Sequence, residues 1–166
     1  MNKCLSTFFS CVLFMMCVDI SQAKNQSLNH NAFNKAAFED MKQQKLGERW
    51  MIVLWSLDCP ACFKELKLMQ TLQLEHKSKR LNVVFINTDD SDEVTFDRKQ
   101  VLSSYGMLNF SNFYFSDGQG EHSRYQIDPQ WYGELPRSYF VDEKGMFYGK
   151  SGLLDETLIK KWLIEK

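Results

Sequence analysis

Apolar and polar residues follow two different periods along this chain, and the places where the period changes mark its elements. The apolar run Met51 to Trp55 is short enough for a buried strand, predicted over about 50–55, and Leu81 to Thr88, reading LNVVFINT, is a second. Between them Phe63, Leu66, Met69 and Leu72 recur at helical spacing, which predicts a helix from Cys59 or Pro60 to about Ser78. Lys77, Lys79 and Arg80 mark its end, suited to the negative helix terminus. Strand, helix and strand in that order imply a right-handed crossover and a parallel pair.

The flanks are read the same way. Asn31 or Asn34 caps a helix over about 35–46, with Phe33, Ala37, Phe38 and Met41 as an intermittent apolar face, and Gly47 ends it. Asp89 to Asp92 is a turn, Val94 to Tyr105 a helix closed by Gly106, and Asn112 to Phe115 a short strand. His122 to Ile127 reads as a helical turn or two. Ser138 to Val141 and Met146 to Gly149 form a hairpin around Asp142-Glu143-Lys144-Gly145. Leu154 to Glu165 is an amphipathic helix, with Leu154, Leu158, Trp162 and either Leu163 or Ile159 inward. The order describes an α/β fold: a central mixed sheet with helices on both faces and an inserted strand–helix unit.

The first residues are a different material. Lys3 is followed by a largely apolar stretch, Leu5 to Val18, and Ser21-Gln22-Ala23 places small residues for cleavage before Lys24. This is the pattern of a secretory signal peptide over 1–23, with a flexible polar leader over 24–34 and one domain over 35–166. Phe8-Phe9 ahead of Cys11 and Met15-Met16 ahead of Cys17 make poor lipidation signals, and an uncut anchor is the alternative to cleavage. A periplasmic or otherwise extracytoplasmic location follows, membrane-tethered if the anchor stays. The formal net charge of −1 argues against a nucleic-acid partner, which calls for a concentrated basic surface.

Export changes the meaning of the cysteines. Cys4, Cys11 and Cys17 leave with the signal, and only Cys59 and Cys62 remain, on either side of Pro60-Ala61. A pair that closes so small a loop restricts the unfolded chain little, so chemistry explains it better than stability. At a helix start, unpaired N–H groups favour a thiolate; Cys59 is placed to attack and Cys62, one turn in, to resolve. Zinc would need two more ligands, and the mature chain offers only the widely spaced His30, His76 and His122. Pro136, in Gly133-Glu134-Leu135-Pro136, has two readings: a proline at a strand start, or a cis bond forming a tight turn against the active-site helix.

Taken together, a strand, W-x-x-x-C-P-A-C, a helix, then G-x-L-P-x-x-Y-F-V-D-x-x-G and a C-terminal helix resemble the thioredoxin superfamily over about 35–166. The room between the two motifs is most similar to the exported TlpA/ResA-like thiol–disulfide oxidoreductases. The resemblance implies a thioredoxin-like fold, catalytic Cys59 and Cys62, Trp55 as the strand tryptophan, and Pro136 as a cis proline beside the pair. It implies protein thiols and disulfides as substrates and a membrane-bound electron donor or acceptor; no cofactor or metal is expected, and the lack of a dimerisation segment favours a monomer. Reduction of partner disulfides is the expected direction; an oxidase, or a non-catalytic metal- or partner-binding domain, are the alternatives.

This sequence also departs from the pattern. Asp58 stands where thioredoxins have tryptophan, either opposing a Cys59 thiolate or capping the helix. Val53 replaces a buried, proton-moving aspartate, and Glu134 is either its substitute or a solvated loop residue. Arg137 either offsets Asp58, binds a partner or is solvated. Most of Phe110, Phe113, Tyr114, Phe115, Tyr125, Trp131 and Tyr132 are expected in the core, with Trp131 and Tyr132 as candidates for the rim of a substrate groove. An N-terminal helix stands where the TlpA-like group commonly has a hairpin.

Overall fold

A computed structural model describes residues 30–165. Six strands form one sheet: β1 (His30–Ala32), β2 (Trp50–Trp55), β3 (Val83–Asn87), β4 (Ser111–Tyr114), β5 (Arg137–Val141) and β6 (Phe147–Ser151). Their spatial order is β1-β4-β3-β2-β5-β6. The first four run parallel, β5 pairs antiparallel with β2, and β6 returns antiparallel to β5. The helices are α1 (Lys35–Gln44), α2 (Pro60–Glu75), α3 (Thr95–Ser104), α4 (Gly120–Ile127) and α5 (Glu156–Leu163), with a single 3-10 turn at Asp92–Val94.

The two-residue period of the strands sorts their side chains between two cores. Met51, Val53, Trp55, Val83, Phe85 and Phe140 point one way and pack with Cys62, Leu66, Met69 and Leu72 of α2, Leu102 of α3 and Ile159 of α5. Trp50, Ile52, Leu54, Val84, Ile86, Tyr139 and Val141 point the other way, against Phe38 and Met41 of α1 and Ile127 of α4. The unbroken apolar run of β2 is therefore buried on both faces, as an interior strand of a covered sheet must be.

Local chemistry sets the helix starts. The Asn34 side chain accepts from the Ala37 N–H at 2.9 Å, and that of Asp155 from Thr157 at 2.8 Å. The second cap corrects the reading of the last helix. Because α5 begins after Asp155, Leu154 lies ahead of it and Ile159 takes the fully buried position; Leu158, expected inward, is exposed. A second correction concerns the leader. Its last residues form β1, paired in parallel with β4 at His30↔Asn112 and Ala32↔Tyr114, and Phe33 is buried. That strand escaped notice because three residues carry almost no period, and its partner is some 80 residues further along the chain. The signal segment lies outside the described residues.

Candidate active site

Cys59 and Cys62 are joined in a disulfide, with Cα atoms 5.3 Å apart. Cys59 is the N-cap of α2, half-buried, and its Sγ accepts from the Cys62 N–H at 3.1 Å. Pro60 occupies the first helical turn, where its missing N–H costs nothing. Cys62 is completely buried in the α2-side core. One sulfur is thus reachable and accepts a backbone N–H at the helix start, and the other is enclosed.

The loop ahead of Cys59 is held from β3. Asp89 accepts from Ser56 Oγ at 2.6 Å, Leu57 N–H at 2.9 Å and the Asn87 amide at 2.8 Å, while Asp58 N–H donates to Ser56 Oγ at 3.1 Å. Arg98 of α3 is buried and anchors the same turn, donating to the carbonyls of Asp89 and Ser91 beneath the Tyr114 ring. Asp89→Ala should cost roughly 1–3 kcal/mol by freeing these partly buried donors, read as a lower urea midpoint with an unchanged slope.

Asp58 is exposed, and the cap position belongs to Cys59. The helix-cap reading of Asp58 therefore fails, leaving an exposed carboxylate adjacent in sequence to Cys59. Pro136 follows a cis peptide bond from Leu135. The register Leu54↔Arg137 carries Pro136 alongside the end of β2, at the edge where Cys59 lies. Leu135 packs against the core that contains Cys62.

The missing buried carboxylate is supplied from the helix, by Glu65. It stands one turn after Cys62 on the inward stripe, is 1% exposed, and accepts from Ser138 Oγ at 3.2 Å. Ser138 is the β5 partner of Val53, so the carboxylate lies beside that strand position. Burial pushes the Glu65 carboxyl up to about 7, against the opposing hydrogen bond from Ser138. The sequence did carry the signal: a charged residue three places after the second cysteine, amid Cys62, Leu66, Met69 and Leu72.

Glu134, the substitute considered earlier, is excluded by position. It is exposed, accepts from Ser151 Oγ at 2.7 Å, and lies 3.4 Å from the Arg137 guanidinium. Partial desolvation pushes its carboxyl up, but these hydrogen bonds and the Arg137 charge hold it below its ordinary value. Arg137 does not offset Asp58 either; its partners are Asp128, Glu134 and Ser151. Of the aromatics, Phe110, Phe115 and Trp131 are buried and Tyr125 and Tyr132 exposed, so only Tyr132 of the two rim candidates is free to meet a partner. His76 caps the far end of α2 and His122 lies beside Gln126 on α4, neither sharing an element end with Cys59.

A sheet of this topology with a cysteine pair heading α2 defines a thioredoxin-like protein of the thiol–disulfide oxidoreductase class. The family model described as AhpC/TSA matches residues 21–148, and the chain belongs to that family. It is similar to the sporulation thiol-disulfide oxidoreductase A of Bacillus subtilis (strain 168), 27% identical over 130 residues that span 76% of this chain and 73% of the relative. Among solved structures, StoA from Bacillus subtilis matches with a TM-score of 0.51 at 23% identity, over 70% of this chain and 83% of that one. The thioredoxin domain of a thiol-disulfide oxidoreductase from Bacteroides vulgatus matches with a TM-score of 0.56 at 17% identity, over 75% and 83%. At these identities the two structures support the fold.

Proposed function

We propose that this chain is an exported protein thiol–disulfide oxidoreductase that reduces client disulfides through Cys59 and Cys62. The observation that carries the reading is the asymmetry of the pair, with Cys59 half-buried at the α2 N-cap and Cys62 enclosed. The Cys59 thiolate attacks a client disulfide; a Cys59–client bond forms and one client thiolate leaves. Cys62 passes its proton to the Glu65 carboxylate and attacks Cys59 Sγ. The Cys59–Cys62 disulfide forms, the second client thiolate leaves, and two electrons have moved to the client. A donor thiol pair, membrane-bound in this reading, must then restore the dithiol. Pro136 and the backbone of Leu135, beside the end of β2, provide the edge against which an extended client segment lies.

Insulin reduction driven by dithiothreitol tests the activity: the full chain is expected to accelerate precipitation of the insulin B chain well above the thiol alone. Rapid alkylation of cellular protein tests the direction. A mostly reduced pair supports the reductase, and a fully oxidised one reverses the assignment to an oxidase.

A further inference from the structure

The residue directly after Pro136 is an arginine whose two Nη groups are both held, while its buried Nε has no hydrogen-bond partner. Strand alternation turns Arg137 to the sheet face opposite Cys62, with Tyr139, so it has no route to the sulfurs. Its Nη2 donates to Asp128 Oδ2 at 3.2 Å and its Nη1 to Ser151 Oγ at 2.8 Å, with Glu134 Oε1 at 3.4 Å. The guanidinium lies over the Tyr139 ring, 4.7 Å from its centre. On its other side is Gly149, where an added Cβ would come within 2.7 Å of Arg137 Cζ and 3.0 Å of the Tyr139 ring. A glycine in the middle of β6 weakens a strand, and here it opens the slot that the guanidinium fills.

One of the groups gathered on Arg137, Asp128, also fixes the Pro136 loop, which further hydrogen bonds hold from α4 and the end of β6. Asp128 accepts from Tyr139 OH at 2.9 Å and from Gln130 N–H at 2.9 Å, joining β5 to the loop's start. Trp131 Nε1 donates to the Glu134 carbonyl at 2.9 Å, and Arg124 of α4 to the Tyr132 carbonyl at 3.0 Å. Gly152 N–H donates to the Pro136 carbonyl at 2.8 Å. Gly133, at φ +96°, makes the turn between them.

We propose that Arg137, seated in the slot made by Gly149 and Tyr139, is the positioning residue of the client groove. Bridging Asp128, Glu134 and Ser151, it holds the Leu135 backbone in place for the incoming client. The proposal rests on the oxidoreductase reading and adds the device that sets the groove's geometry. A client that docks on this loop needs the clamp, whereas a small thiol that reaches Cys59 from solvent does not.

The test compares the two on the full chain. In Arg137→Gln, KM for insulin should rise roughly tenfold with kcat little changed. The reaction of the Cys59–Cys62 disulfide with dithiothreitol should stay within about twofold of wild type, and the reduction potential should hold. Gly149→Ala should reproduce the KM effect by filling the slot, and the double variant should be no worse than Arg137→Gln alone. Asp128→Asn, a milder change, should shift KM in the same direction and serves if the others fail to fold. An unchanged insulin KM in any folded single variant, or insulin and dithiothreitol rates falling together, would overturn the proposal. An inactive wild-type chain would instead bring down the oxidoreductase reading beneath it.

Discussion

Cys59→Ser is expected to reduce insulin turnover by at least about 10³-fold, to background, whereas Cys62→Ser should stop halfway with client attached. The difference follows from burial and helix position. Cys59 is half-buried, at a helix cap, and accepts the Cys62 N–H; Cys62 is fully enclosed between α2 and the sheet. Only the first can meet a bulky disulfide. Without Cys62 nothing inside the protein displaces the client, so a mixed disulfide should persist on Cys59, visible as a reducible high-mass band on a gel. Without Cys59 the remaining thiol lies behind a layer of packed side chains, and no adduct should form. Adducts mainly through Cys62 in the Cys59→Ser chain would reverse the two roles.

That much of the site was legible in the sequence because it is local. A CxxC between an apolar strand and a helix fixes the pair within one turn, and helix geometry then decides which sulfur faces out. The parallel β2–β3 pair, the β5–β6 hairpin and α2 were legible for the same reason, each having a clear period or a turn of definite chemistry. What escaped were features that exist only across long separations. β1 depends on its pairing with β4. The roles of Asp89 and Arg98 depend on β3 lying beside the end of β2. Glu134 and Arg137 are close to Pro136 along the chain, but strand alternation turns Arg137 to the other face, where the loop residue Glu134 pairs with it. Glu65 stands on the apolar stripe of α2 in the sequence itself, but its hydrogen bond to Ser138 exists only once the helix is docked on β5.

Glu65→Gln should separate stability from activity along the pH axis. The folded protein holds the Glu65 proton up to about 7, while the unfolded chain releases it near the ordinary 4.5. The folded state therefore binds more protons between those values, and stability must fall as pH rises across that window. The contribution is fully present below about 4.5 and lost above about 7, amounting to about 3 kcal/mol at most. Glutamine carries no charge at any pH, so the variant should lose this slope and be the more stable protein at pH 8, as urea titrations at several pH values would record. Its chemistry should move the opposite way. Cys62 would have no internal acceptor for its proton, and resolution of the mixed disulfide should slow by roughly 10²-fold. The wild-type rate is expected to rise with pH near 7 as the buried carboxyl ionises, and the variant to lack that limb. A fold with no use for proton transfer at this position would gain by burying an apolar residue against Val53 and Ser138. A variant that resolves at the wild-type rate, with the same pH limb, would reduce Glu65 to a packing residue and require another proton acceptor for Cys62.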